Sequence, residues 1–183
     1  MSLSDVGDVL GEYELWLLRD CLSMLDVKLV ELAMQIEVAG HPEIDGLADK
    51  GEYYVGLGFV AMQRCLTSIQ SRSGMSKSDS LKFGETFGDG GFVVEVINAA
   101  ANYWKHEDEW GLLNVIRRDT SALRNDQRKT AEKLEEITPW DSYTCSNVVA
   151  VLNPDGDLRM MPLLEYLEVW HLALMNKVRS EGK

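Results

Sequence analysis

Residues 15–36 read LWLLRDCLSMLDVKLVELAMQI, and within them Leu15, Leu18, Leu22, Leu25, Leu29, Leu32 and Ile36 follow one another at alternating spacings of three and four. Because 3.6 residues complete a helical turn, this recurrence places all seven side chains on one stripe of an α-helix. The helix is expected to begin near Val6 to Leu10 and to stop at Gly40-His41-Pro42, where glycine accepts a left-handed cap and proline cannot continue the ladder. At roughly 1.5 Å per residue its length is about 45 Å, that of a bundle helix. Such a stripe either packs inside its own bundle or pairs in part with a second copy of the chain.

The rest of the sequence supplies partners for this helix. A second helix is expected from about Leu47 to Ser71, with Val55, Gly58, Met62, Cys65 and Ile69 at helical spacing. There Gly56 and Gly58 would admit a neighbouring backbone. The polar stretch from Ser71 to Gly91 reads as a long loop. A third helix runs from about Phe92 to Glu107, capped by Asp89 or Gly90, with Val93, Val96, Ile97, Ala100 and Trp104 on its apolar face. A fourth, from about Leu112 to Ile137, turns Ile116, Leu123, Thr130, Leu134 and Ile137 inward and ends before Pro139. The β-branched run Asn147 to Leu152, the turn Asn153-Pro154-Asp155-Gly156 and the segment Asp157 to Met161 then suggest a β-hairpin over about 143–161. Pro162 opens a last helix, about 162–179, carrying Leu163, Leu167, Trp170 and Leu174. The fold class is therefore mainly α: an up-and-down bundle of four to five helices with one small β-hairpin near the C-terminus, in a single domain over residues 1–183.

With 183 residues, 45% of them hydrophobic, the chain can bury one sizeable core without metal or disulfide staples. Cys21, Cys65 and Cys145 are odd in number, widely spaced and set in apolar stretches, which fits reduced thiols. The first ten residues carry Asp5 and Asp8 and no base, unlike a secretory leader, and no apolar run approaches about 18 residues. A cytoplasmic protein that does not enter the membrane is expected. The net charge of −12 is uneven, since residues 1–50 hold eleven acids and three bases whereas residues 101–150 hold nine acids and seven bases. An acidic surface repels nucleic acid in general and still leaves room for a local basic stripe.

Several chemistries lack their residues. Of His41, His106 and His171, only the last belongs to a Glu168-x-x-His171 unit, and no second such unit completes a carboxylate-bridged metal site, so neither metal nor other cofactor is expected. The glycine-rich stretch Gly84 to Gly91 has no Lys-Ser/Thr ending and carries Glu85 and Asp89, which disfavour phosphate. No Gly-x-Ser-x-Gly elbow is present. The fourth helix offers more, because Arg117, Arg124 and Arg128 align on one face and could track a phosphate backbone. The alternative is a solvated face balanced by Asp119, Asp126, Glu132, Glu135 and Glu136.

The remaining feature is the segment from Asn98 to Trp110, where Asn98, Asn102 and either Lys105 or His106 recur every three or four residues at the end of the third helix. Two amides, an ammonium and an imidazole would converge at a helix C-terminus, where the macrodipole favours the protonated ring. That is a setting for phosphate binding and for acid/base work on RNA. The structural alternative has Asn102 and His106 bonding the next loop while Trp104 and Trp110 pack.

With Asn102-x-x-x-His106 on an inner helix of a bundle, the chain resembles HEPN domains, whose signature is Arg followed by a polar residue, often Asn, and a His a few positions later. The resemblance implies a metal-independent endoribonuclease of a bacterial defence, toxin–antitoxin or stress setting, or a non-catalytic relative, acting as a homodimer with the cleft between two subunits. It implies that Asn102 orients the site and His106 acts as general acid or base; Lys105 and Asn98 beside them, and Arg117, Arg124 and Arg128 on the fourth helix, are by their spacing the residues expected to bind phosphate or RNA. Ala101 stands where the family carries Arg, and Lys105 lacks the planar guanidinium fork. The competing reading is a non-enzymatic interaction protein, either an antitoxin-like regulatory subunit holding a protein partner through its acidic first helix or an acidic decoy of nucleic acid.

Overall fold

The leucine stripe is the core face of helix α1 (Leu3–Val38): Leu15, Leu18, Leu22, Leu29 and Leu32 are buried, with Leu25 packed at their margin. The computed structural model describes residues 3–41, 44–88, 90–110, 120–140 and 142–181. Helix α2 (Leu47–Ser73) begins and ends where expected, closed by Gly74 in the left-handed conformation at φ 74°. After it come the short helix α3 (Lys77–Ser80), a hairpin of β1 (Thr86–Phe87) and β2 (Gly91–Phe92), and helix α4 (Val93–His106). A single 3₁₀ turn (Glu107–Glu109) follows α4. Then come α5 (Asn125–Glu135), α6 (Thr144–Leu152), a second 3₁₀ turn (Met161–Leu163) and α7 (Leu164–Glu181).

Helix α2 occupies the centre. It packs against α1 on one side and against α4, α6 and α7 on others, while α5 lies against α4 and α7 closes on α1. The described residues thus form a mainly α fold with seven α-helices rather than four or five. No helix among them is long and apolar enough to cross a membrane.

The largest departure from the sequence reading is the C-terminal hairpin. Thr144–Leu152 is a helix, and its burial explains why: Cys145, Val148, Val149 and Leu152 face the core while Val151 is exposed, the i, i+3, i+4, i+7 pattern of a helix rather than alternation. The N-terminus of α6 is capped from a distance. Glu52 on α2 accepts hydrogen bonds from the backbone N–H of Cys145 (2.8 Å), the N–H of Ser146 (2.8 Å) and the hydroxyl of Ser146 (2.7 Å). The turn at Asn153 to Gly156 does form, with Gly156 N–H donating to the Asn153 carbonyl at 2.9 Å, but it ends a helix instead of joining strands.

The hairpin of this fold lies instead within the segment expected to be a long loop. Thr86 pairs with Phe92 and Phe87 with Gly91 across a tight turn in which Gly88 and Gly90 both have positive φ. Gly90 does not cap α4, and Asp89 lies outside the described residues; Phe92 is the cap position, and Glu95 reaches back to its N–H at 3.5 Å. The fourth helix is shorter than expected. Residues 120–124 form a turn and α5 starts at Asn125, so Arg124 precedes the helix, while residues 111–119, with Ile116 and Arg117, lie outside the described residues. Gly56 and Gly58 of α2 admit side chains rather than backbone: a Cβ on Gly56 would meet the Trp104 ring at 2.1 Å, and one on Gly58 the Met160 methyl at 2.6 Å.

Candidate functional site

Helix α4 buries Val93, Val94, Val96, Ile97, Ala99, Ala100, Ala101 and Tyr103, which leaves Asn98, Asn102, Lys105 and His106 on its open side. These four do not form one constellation. Gln63, buried on α2, donates from Nε2 to the Asn98 side-chain oxygen (2.9 Å) and to Asn102 Oδ1 (2.8 Å), and its own Oε1 accepts from Lys105 Nζ (2.6 Å). Asn98, Asn102 and Lys105 are thereby tied into one network around a side chain that the sequence did not single out. Partial burial holds the Lys105 ammonium below its ordinary pKa, and Lys77 is lowered too, by burial first and by the facing charge of Lys105 second.

His106 looks the other way. Its Nδ1 lies 2.8 Å from Glu109 Oε1, one turn further along the chain, and the second oxygen of the same carboxylate accepts from Arg124 Nη2 at 2.8 Å. Arg124 also approaches Asp126 Oδ1 at 3.5 Å. Glu109 is accordingly held below the usual carboxylate range, by the His106 hydrogen bond first and the Arg124 bond next. The 3₁₀ turn after α4 and the start of α5 are locked together by Gln127, whose amide donates to the Glu109 carbonyl (3.4 Å) and whose oxygen accepts from Arg124 N–H (2.9 Å).

Asn102, His106 and Arg124 meet at a cavity of about 190 Å³ whose wall also includes Trp110, Asp126, Gln127 and Thr130. A carboxylate bridging an imidazole and a guanidinium at such a rim fixes the orientation of the ring and presents a positive group beside it. Arg128 does not join them, since its Nη2 donates to the Leu123 carbonyl at 3.3 Å, and Arg117 lies outside the described residues. The stripe of three arginines on one helix is therefore not present as expected: Arg124 sits before α5, where its extended backbone (ψ 160°) aims it towards Glu109.

Ala101 is completely buried, so the position at which the resembled family carries Arg is part of the core. Trp104 fits over Gly56 and meets Tyr53 edge-on, and Trp110 packs between Tyr103 and Trp140, so both tryptophans have packing roles. His171 is buried with its ring against Gly11 of α1, Glu168 pairs with Arg19, and His41 is exposed. Among the described residues no cluster of His, Cys, Asp and Glu is placed to hold a metal ion. The three cysteines form no disulfide, and burial pushes the thiols up, that of Cys65 to about 12. Of the residues missed by sequence reasoning, Glu109 was signalled by its spacing of three from His106, whereas Gln63 gave no local signal.

No family model, curated protein or solved structure matches the chain.

Proposed function

We propose that the chain acts on RNA as a HEPN-like, metal-independent endoribonuclease, with His106 as the proton-transferring group and Arg124 as the phosphate-binding one. The reading is carried by the Glu109 carboxylate, which holds both side chains at the cavity rim that Asn102 lines. With Nδ1 engaged by Glu109, the Nε2 of His106 is the nitrogen left to exchange a proton with substrate. In the cleavage step the ribose 2′-oxygen forms a bond to phosphorus while the bond to the 5′-oxygen breaks. One proton leaves the 2′-hydroxyl for a base and one is delivered to the departing 5′-oxygen, giving a 2′,3′-cyclic phosphate and a 5′-hydroxyl. Arg124 stands in for the Arg that the motif lacks at Ala101, and its guanidinium suits the phosphate oxygens. On this reading Lys105 and Asn98, tied to Gln63 beyond Asn102, continue the contact to the backbone, and the chain works as a homodimer in a reducing cytoplasm.

Single-stranded RNA of mixed sequence, incubated with purified protein and EDTA, should be cut to cyclic-phosphate ends. His106→Ala should lower the rate by about 10²–10⁴-fold with an unchanged circular-dichroism spectrum. Cleavage by that variant at the parental rate would remove His106 from the mechanism.

A non-enzymatic regulatory subunit is the second reading, favoured by the charge compensation within the cavity, where Glu109 and Asp126 already neutralise Arg124. Its acidic first helix would then hold a protein partner. In that case RNA remains uncut at any concentration and a stoichiometric partner is recovered with the protein.

A further inference from the structure

Helix α1 is apolar on both faces. Opposite the buried leucine stripe, Leu10, Tyr13, Leu17, Met24, Val27 and Met34 are all exposed, Met24 by 67% and Val27 by 56%, and Val38 extends the line. With Asp20 and Glu31 included, the positions 10, 13, 17, 20, 24, 27, 31, 34 and 38 alternate by three and four without a break. This second stripe covers most of the 36-residue helix. Together with Trp16 and Val30 on its flank, it exposes nine large apolar side chains, each by 39% or more, and an apolar surface of that extent marks an interaction site. A standard interface takes about 800 Å² from each partner.

We infer that the outer stripe of α1 pairs with the same stripe of a second copy, antiparallel, with the two-fold axis at the level of Leu22. A 3.5-residue recurrence is the pattern that another helix matches along its whole length. The two acidic positions choose the direction. Parallel chains in register set Asp20 against Asp20, which repels, and also stack Glu31, paired with Lys28 at 2.8 Å, on its own copy. In the antiparallel alignment that overlaps the full stripe, Leu10 faces Met34 of the other copy and Leu17 faces Val27. Asp20 then lies beside Met24, and Glu31 beside Tyr13, whose hydroxyl can donate to the carboxylate. No like charges then share a layer, and the two Asp20 side chains are offset by one layer, about 6 Å along the axis. This pairing gives the proposed homodimer its contact on α1 and leaves the His106 cavity, on α4 and α5, lined by one chain rather than shared between two, so failure of the pairing and failure of the ribonuclease reading are read separately.

Sedimentation velocity from about 1 to 100 µM should show a monomer–dimer equilibrium in the range usual for an interface of this size. Leu17→Glu/Val27→Glu should be monomeric throughout with an unchanged circular-dichroism spectrum, since both side chains are exposed. The direction is read by oxidative cross-linking with the parent chain as control for Cys21: Leu17→Cys/Val27→Cys should give covalent dimers and Leu17→Cys alone should not. Efficient cross-linking by Leu17→Cys alone overturns the antiparallel alignment. A parent chain that stays monomeric at all concentrations, or a dimer indifferent to the paired glutamates, overturns self-pairing and leaves the stripe to a different chain.

Discussion

The carboxylate of Glu52 supplies a cap that the segment beginning at Thr144 does not carry for itself. It holds two backbone N–H groups and one hydroxyl, groups that would otherwise be left at a partly buried helix end. Glu52→Ala should therefore cost about 1–3 kcal/mol in urea denaturation, and Glu52→Gln less, because one acceptor oxygen remains. Gly56 makes the opposite demand, for absence of a side chain. Gly56→Ala drives a methyl into the Trp104 ring and should destabilise by about 1–3 kcal/mol with a shift in tryptophan emission, whereas Gly40→Ala, with nothing within 4 Å, should be close to neutral. At the candidate site, Glu109→Gln leaves its exposed surroundings intact and removes the anion shared by His106 and Arg124. On the ribonuclease reading it should slow cleavage by about 10–100-fold without changing stability. Such residue-scale facts were partly legible. The spacing of Asn98, Asn102 and Lys105 puts them on one face, but Gln63, which joins them, comes from another helix 35 residues upstream of Asn98 and is found only when the two helices are packed.

At the scale of elements, long periodic segments are legible in the sequence and short ones are not. Helices α1, α2, α4 and α7 each repeat an apolar face over several turns, so their stripes identify them whatever they pack against. Helix α6 is nine residues long and rich in valine, and its β-branched composition points to a strand until Glu52 and the core decide otherwise. The real hairpin has two residues in each strand, too few to show alternation, and only its glycines betray it. Gly90, at φ 104°, is the stricter of the two turn glycines. Gly90→Ala should cost about 1–2 kcal/mol although no atom lies in the way, and the loss should appear as faster amide exchange at Phe87 and Phe92. The site shares the limits of the elements that build it: Arg124 reaches the Glu109 carboxylate that also holds His106 because α5 starts late, a boundary that periodicity does not fix.

For the whole molecule, the buried thiols and phenol predict how stability responds to base. Burial raises Cys65 from an ordinary value of 9.0 to about 12 and Tyr103 from 10.0 to about 12, and Cys145 lies well above 9.0. These groups stay protonated in the fold, while in the unfolded chain they ionise from about pH 9. Their contribution is thus complete below pH 9 and is lost as pH rises towards about 12. Urea midpoints should fall across that interval, and thiol reagents at pH 8 should leave Cys65 and Cys145 unmodified until the protein unfolds. One further property follows from the remote caps. Asp26 of α1 accepts from the N–H groups of Met160 (2.6 Å) and Met161 (3.1 Å), much as Glu52 of α2 serves α6. In both cases the acceptor lies in the first third of the chain and the donors in the last, so the information that shapes the C-terminal segments is stored near the N-terminus. A ribosome delivers it in the useful order: α1 and α2 can pair while the remainder is still being made, and the late segments arrive at anchors already in place. Alone, a peptide of residues 144–152 is too short to hold a helix in water.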